Sequence, residues 1–187
     1  MDVYDFDGTI YRGDSTASFF KWCLARHPRI ITTLPRTAVA TFACMKLHVI
    51  NKTQFKSALY RFLPYIPSIE QELGLFWGVH EKRIGGPCHP QPGDLAISAG
   101  PDFLLRGVCE RRGLQLIASQ VDPYTGKVLG PNCSDSEKVV RFRELFPEAE
   151  ITHFYSDSHN DDPLAEIAQE AFYIDIAKNT MIPWPKA

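Results

Sequence analysis

Asp5-Phe6-Asp7-Gly8-Thr9-Ile10 decides how this chain is read. The run follows a short apolar stretch, Val3-Tyr4. Side chains alternate along an extended segment, so Asp5 and Asp7 project to the same side. Two close carboxylates repel each other unless a cation or a shared proton compensates. Gly8 lets the chain turn sharply behind them, and Thr9 sets a hydroxyl beside them. The run therefore points to a divalent cation and acid–base chemistry rather than to packing. A turn with a capping Asp would use the same residue types. Three downstream segments weigh against that plainer reading.

The first is Asp94-Leu95-Ala96-Ile97-Ser98-Ala99-Gly100-Pro101. Its apolar run ends in Ser-Ala-Gly and passes into a helical pattern through Phe103, Leu104 and Val108. Pro101 fits the first turn of that helix and Gly113 its end. A strand running into a helix N-terminus leaves free N–H groups that suit an anion. Ser98 either adds a hydroxyl donor there or caps the helix. In the second segment, Ser134 and Glu137 have the spacing of a capping box, which predicts a helix through Val140 and Phe142 to Leu145. Lys138 falls in its first turn, where the helix dipole disfavours a cation. That placement suits a lysine that holds an anion, with a solvated surface lysine as the alternative. The third segment, Ile151 to Pro163, is a strand ending in Asp157, Asp161 and Asp162. One of these acids serves as a helix cap, and three are more than a cap needs. Hard oxygen ligands with no Cys/His set beside them indicate magnesium rather than zinc.

The sheet is expected from strands at Val3–Phe6, Leu95–Ser98, Leu114–Ala118 and Ile151–Tyr155, with a fifth at Phe172–Ile174. Strands alternating with helices imply a mostly parallel α/β sheet, and ligands in such sheets bind beyond the carboxyl ends of the strands. The motif-bearing segments thus converge on one site.

At 187 residues the chain can hold one α/β core and a small insertion. Residues 1–12 and 85–187 read as the core. Residues 13–84 read as a helical insertion, with helices over 16–27, 36–50, 52–63 and 69–83. In the last, Ser68 and Gln71 form a capping box and Ile69, Leu73 and Phe76 face inward. From Ser15 to Ile69 there is no Asp or Glu, but there are eight Lys or Arg: Lys21, Arg26, Arg29, Arg36, Lys46, Lys52, Lys56 and Arg61. The insertion as a whole carries ten basic and four acidic residues, a net of +6, which leaves −8 elsewhere. Such a segment suits an anionic substrate or peripheral contact with an anionic membrane. The apolar run from Ala38 to Ile50, interrupted by Lys46, is too short to span a bilayer; it either lies in a membrane interface or, the reading we favour, packs in the insertion. With a net charge of −2 the chain is no general nucleic-acid binder. Five cysteines, at 23, 44, 88, 109 and 133, form no metal spacing and read as reduced thiols of a cytoplasmic protein. A first strand that begins at once leaves no place for a signal peptide.

The order D-x-D-G-T, Ser, Lys, D-x-x-x-D resembles the haloacid dehalogenase-like (HAD) superfamily of phosphohydrolases. Tyr155-Ser-Asp-Ser-His-Asn-Asp-Asp-Pro-Leu164 is similar to its subfamily with a helical cap, which includes phosphoserine phosphatase. The resemblance covers nearly the whole chain. It implies a Rossmann-like core with an inserted helical cap of the C1 type. It implies Asp5 as nucleophile, forming an aspartyl-phosphate, and Asp7 as the acid and base. True dehalogenases of the superfamily lack the second Asp, so Asp7 selects phosphoryl transfer. Magnesium is implied on the carboxylates of Asp5 and Asp157 and the carbonyl of Asp7, with Asp161 as a ligand or behind the ligands. Thr9, Ser98, Ala99 and Lys138 are implied to hold the phosphoryl oxygens of a small phosphorylated substrate. In phosphoserine phosphatases an acidic residue at the cap hinge binds the substrate amine, and Asp14 takes that place. Their carboxylate-binding Arg falls at Phe62 here, with Arg61 one residue away, which puts phosphoserine in doubt. The opening of the insertion, with Phe19-Phe20 and Arg26-His27-Pro28-Arg29, is also similar to bacterial phosphatidylglycerophosphate phosphatases of this superfamily. A non-catalytic phosphate-binding regulator on the same scaffold would show an eroded motif, and none is eroded.

Overall fold

The computed structural model describes residues 1–35, 37, 39 and 52–185, with residues 52–55 as backbone only. The apolar helix expected over 36–50 lies outside the described residues.

Six strands form one sheet: β1 (Val3–Tyr4), β2 (Leu95–Pro101), β3 (Gln115–Ser119), β4 (Ile151–Ser156), β5 (Ala168–Asp175) and β6 (Thr180–Pro183). Their order is β3-β2-β1-β4-β5-β6, parallel throughout except for the antiparallel β5–β6 pair. The class is the α/β one expected, and the order doubles back at β1, the central strand. Val3 is flanked by Leu95 of β2 and Phe154 of β4. This reversal opens a crevice at the carboxyl end of β1, the usual ligand position in such sheets.

Alternation explains how so short a strand holds the centre. Val3 enters an apolar cluster with Leu95, Ile97, Phe142, Ile151, Phe154 and Leu164. Tyr4 and Phe6 enter the opposite one. Helices α4 (Asp102–Arg111), α5 (Ser136–Leu145) and α6 (Asp162–Ile167) follow β2, β3 and β4 in the chain. Strand β2 is buried along nearly its whole length and needs no polar alternation, which is why it reads as a largely apolar run.

The second cluster joins the helices that lie between β1 and β2 in the chain to the sheet. Helix α1 (Ser15–Arg26) begins at Asp14, whose carboxylate accepts the Ala17 N–H at 2.7 Å. It gives way at His27 to a 3-10 turn over Pro28–Thr33. Helix α2 is Lys52–Leu59 and α3 is Ile69–His80. The expected 52–63 and 69–83 helices end early because Tyr60–Tyr65 and Glu81–Arg83 tighten into 3-10 turns. Ser68 accepts the Gln71 N–H as predicted. Phe19, Phe62 and Phe76 pack with Phe6 and Trp77, and the Trp77 indole donates to the Leu104 carbonyl at 2.7 Å. Among the described residues no helix is long and apolar enough to cross a membrane.

Sequence reading missed two features. Strand β6 follows a turn at Lys178-Asn179, where Asn179 adopts a φ of 55°. Asn tolerates that left-handed conformation better than most residues, and this was the available signal. All four residues of β6 are exposed, and Pro183 stands opposite Phe172 at the end of the ladder. The other feature is Glu72, which is buried and gathers the Trp22 indole at 2.9 Å, Arg26 Nε at 2.9 Å and His27 Nε2 at 3.1 Å. It ties α3 to α1.

Burial alone would raise the Glu72 pKa, but the hydrogen bonds from Arg26, Trp22 and His27 outweigh it and hold the carboxyl below its ordinary value. A depressed folded-state pKa stabilises above the unfolded value and is lost as pH falls through the folded one. Glu72→Ala should therefore destabilise by about 1–3 kcal/mol near neutral pH in urea unfolding. The gap between parent and Glu72→Gln should narrow as pH drops below the usual glutamate range.

Candidate active site

Asp5 leaves the end of β1 with its N–H on the Tyr155 carbonyl at 2.8 Å, so its position is fixed by the β1–β4 pairing. Its Oδ1 lies 2.7 Å from Lys138 Nζ. The same ammonium lies 2.8 Å from the Asp161 carboxylate, which also accepts the Ser156 hydroxyl at 2.7 Å. Lys138, Asp161 and Ser156 are all buried. Burial pushes Asp5 up to about 6, while Lys138 pulls it down and Asp161 and Asp157 raise it again. Burial also works against the charged form of Lys138, but Asp5 and Asp161 hold its pKa above the ordinary value. Lysine in the first turn of α5 is thus explained by two carboxylates that outweigh an unfavourable dipole.

Asp7 sits in the tight loop that follows. Its Oδ1 accepts the Ser15 N–H at 2.7 Å. Burial pushes its carboxyl up to about 7, Asp14 adds to the rise, and Ser15 opposes it. A carboxyl in that range can both give and take a proton near neutral pH. Gly8 has a φ of 81°, and a Cβ there would come within 1.9 Å of Asp157 Oδ2. Only glycine lets the loop after β1 touch the loop after β4 this closely.

Asp5, Asp7, Asp14, Ala99, Lys138, Asp157 and Asp161 line one pocket of about 480 Å³. Thr9 and Ser98 are buried and do not line it. Among the described residues the Thr9 hydroxyl has no partner. Ser98 Oγ accepts the Gly100 N–H at 2.9 Å, and α4 starts only at Asp102, so Ser98 does not cap it. Ser98 Oγ and Asp7 Oδ2 both stand within 3.6 Å of the point where a Gly100 Cβ would be.

Four expectations need correction. The Ser134–Glu137 capping box does not form: the Ser134 hydroxyl donates to Asp135, and Glu137 pairs with Arg141 at 2.9 Å. Phe62 is not in the pocket but in the core against Phe19 and Phe20. Arg61 is exposed beside Thr32, Thr33, Pro64 and Tyr65. Both residues lie in the Tyr60–Tyr65 3-10 turn, not in the α-helix expected over 52–63. The acid expected as a helix cap does not act as one: Asp161, at the start of α6, makes no capping hydrogen bond, and Asp162 accepts the Trp184 indole at 3.0 Å. The residue that reading overlooked is Lys56, whose ammonium donates to the Ala99 carbonyl at the pocket wall.

The donors suit a hard cation. They are oxygens, and the pocket holds more carboxylates than ammonium groups. The Gly8 cradle brings Asp157 against the loop that carries Asp5 and Asp7. Among the described residues no three acidic, His or Cys side chains form a ready cage. Magnesium does not need one, since it commonly takes one or two carboxylates and fills its octahedron with water and phosphate oxygens.

A doubly wound sheet with acidic side chains gathered at its switch point defines an α/β enzyme, and comparison with known proteins says of which kind. Residues 3–166 match the family model described as haloacid dehalogenase-like hydrolase, and the chain belongs to that family. It is similar to Protein CicA of Caulobacter vibrioides, with 26% identity over 197 residues, 91% of this chain and 84% of that protein. A protein of unknown function from Bordetella pertussis Tohama I shares the fold with a TM-score of 0.70 at 19% identity, covering 91% of this chain and 87% of the other. A probable phosphoserine phosphatase from Vibrio cholerae shares it with a TM-score of 0.60 at 15% identity, covering 91% of this chain and 55% of that one.

Removing Lys138 would leave Asp5 and Asp161 buried without their cation. Lys138→Ala should cost about 3–5 kcal/mol of stability in chelator-treated protein. The loss should shrink in an Asp161→Asn background, as measured by urea unfolding.

Proposed function

We propose that this hydrolase is a magnesium-dependent phosphomonoesterase working through an aspartyl-phosphate. The observation that carries the reading is the buried Asp5–Lys138–Asp161 bridge with Asp7 on the adjoining loop of the same pocket. An Asp5 carboxylate oxygen attacks phosphorus and the ester P–O bond breaks. The departing alkoxide takes a proton from Asp7. Asp7 then accepts a proton from water as that water attacks the aspartyl-phosphate, which releases phosphate and restores Asp5. The Thr9 and Ser98 hydroxyls, the Ala99 N–H and the Lys138 ammonium hold the phosphoryl oxygens. Magnesium, held by the carboxylates of Asp5 and Asp157 and the carbonyl of Asp7, would neutralise charge on those oxygens. Asp161, already taken by Lys138 and Ser156, orients the lysine rather than serving as a ligand.

Residues 13–84 act as a cap over the pocket, excluding water and choosing the substrate. Asp14 and Lys56 bring this segment to the site. Its acid-free, basic stretch favours a substrate with an anion besides the phosphoryl group. The same stretch supports a second reading, in which the phosphate sits on a lipid at an anionic surface.

Asp5→Asn should abolish hydrolysis of phosphate esters with the fold intact by circular dichroism, because an amide does not attack phosphorus. Undiminished turnover by the purified variant would reject the mechanism. Magnesium should be required and calcium should inhibit, since calcium's looser coordination misaligns the in-line attack. Activity that survives excess chelator would remove the metal assignment. Assays of water-soluble phosphomonoesters against lipid phosphates in vesicles separate the two substrate readings.

A further inference from the structure

Strand β3 carries none of the motifs, yet its last residue reaches back to the strand that does. Ser98 of β2 stands opposite Ala118 of β3, and Pro101 stands opposite Ser119. Ala99 and Gly100 are therefore extra residues with no partner across the ladder. Such a bulge bends its strand, and bulges beside active sites re-aim the side chains next to them. It also leaves the Ala99 carbonyl without a ladder donor, and main-chain carbonyls inside a fold need one. Ser119, fully buried, supplies it: its hydroxyl donates to the Ala99 carbonyl at 2.9 Å. Lys56 reaches the same oxygen from α2, and a carbonyl has two lone pairs to offer.

The peptide group between Ala99 and Gly100 is thus held at both ends. Its oxygen accepts Ser119, and its N–H donates to Ser98 Oγ at 2.9 Å. That N–H takes up one lone pair of Ser98 and leaves the hydroxyl proton to point elsewhere. Ser119 is oriented in turn from its other side, where the Cys133 N–H donates to its Oγ at 3.0 Å. Asn132 Oδ1, also 3.0 Å away, shares the Ser119 proton with Ala99. The Asn132 amide nitrogen donates to Ser134 Oγ at 2.8 Å, which keeps Oδ1 turned toward Ser119. Residues 132 and 133 lead into α5, the helix that carries Lys138. One hydroxyl therefore ties the Ser98 strand end to the segment before Lys138, and hydrogen bonds in series strengthen one another.

We propose that Ser119 is a positioning residue: through the 99–100 peptide it fixes the direction in which the Ser98 hydroxyl donates to the transferring phosphoryl group. This rests on the phosphomonoesterase reading, in which Ser98 holds a phosphoryl oxygen, and adds the residue that aims it. Ser119 itself does not line the pocket. Without its hydroxyl the bulge can rotate the 99–100 peptide, and Ser98 loses the N–H that orients it. Small errors in the placement of a group that meets the reacting atoms are costly to rate.

A double-mutant cycle of Ser98→Ala and Ser119→Ala tests this, with the full chain, magnesium and p-nitrophenyl phosphate, well below the melting temperature of every variant. Ser119→Ala should lower kcat/KM roughly fivefold or more. Ser98→Ala should lower it at least as far, and adding Ser119→Ala to that chain should cost nothing further, because the group that Ser119 aims is gone. An unchanged kcat/KM in Ser119→Ala would overturn the proposal. So would losses that multiply in the double variant, which is what a serine that only supports the fold gives. The Gly100 amide offers a readout that needs no turnover. Its protection from hydrogen exchange, followed by NMR, should fall in Ser119→Ala while the β2 amides before the bulge keep theirs. Unchanged protection at Gly100, or a loss along the whole strand, rejects the proposal. If the parent chain does not hydrolyse the ester, the phosphatase reading is what fails, and the Gly100 amide then decides whether Ser119 sets the peptide on Ser98.

Discussion

One buried ammonium holds this site together. Lys138 comes from α5, Asp5 from the end of β1, and Asp161 from the turn after β4, and the three meet only because a single cation satisfies two desolvated carboxylates. Without it the acids would stay protonated or push apart, since two like charges at this separation in a dry pocket cannot both persist. The bridge is also a spacer. It fixes the loops after β1 and β4 against each other, and the close contact of Gly8 with Asp157 depends on that spacing. The chemistry proposed for Asp5 and Asp7 thus follows from a structural pairing. The sheet brings the segments to one end, and the ion bridge sets their distances.

Much of this was legible in the chain. The D-x-D-G-T run, the Ser-Ala-Gly strand end and the acidic loop after Tyr155 are local signals, each carried by consecutive residues at a strand's carboxyl end. Lys138 was found for a sound physical reason, a cation where the helix dipole rejects one, although the capping box used to place its helix does not form. What could not be read depended on partners distant in sequence. Glu72 looks like any exposed helix-start acid until α1 delivers Trp22, Arg26 and His27 to it. Lys56 looks like one of eight surface cations until α2 lays it on Ala99. Phe62 looks like a pocket position until Phe19 and Phe20 of α1 take it into the core.

The helices between β1 and β2 are joined to the rest of the chain in two different ways. On the α3 side the joint is apolar and broad: Trp77 packs on Phe6 and Tyr11 and donates to Leu104. On the α2 side Lys56 makes a polar contact at the pocket wall. Aromatic packing resists separation because opening would expose much apolar surface, whereas a hydrogen bond to a carbonyl exchanges readily with water or with a ligand.

Strand β6 has a consequence for how copies of this chain behave toward one another. An outermost strand offers unpaired main-chain groups on which a neighbouring molecule can build. Here the outermost strand is four residues long, turns back on its own neighbour and ends in Pro183, which has no N–H to offer. Growth of the sheet past this side is discouraged by the covalent structure of its last rung, so a protein with an otherwise extendable parallel sheet carries a built-in stop against fibre formation along that edge.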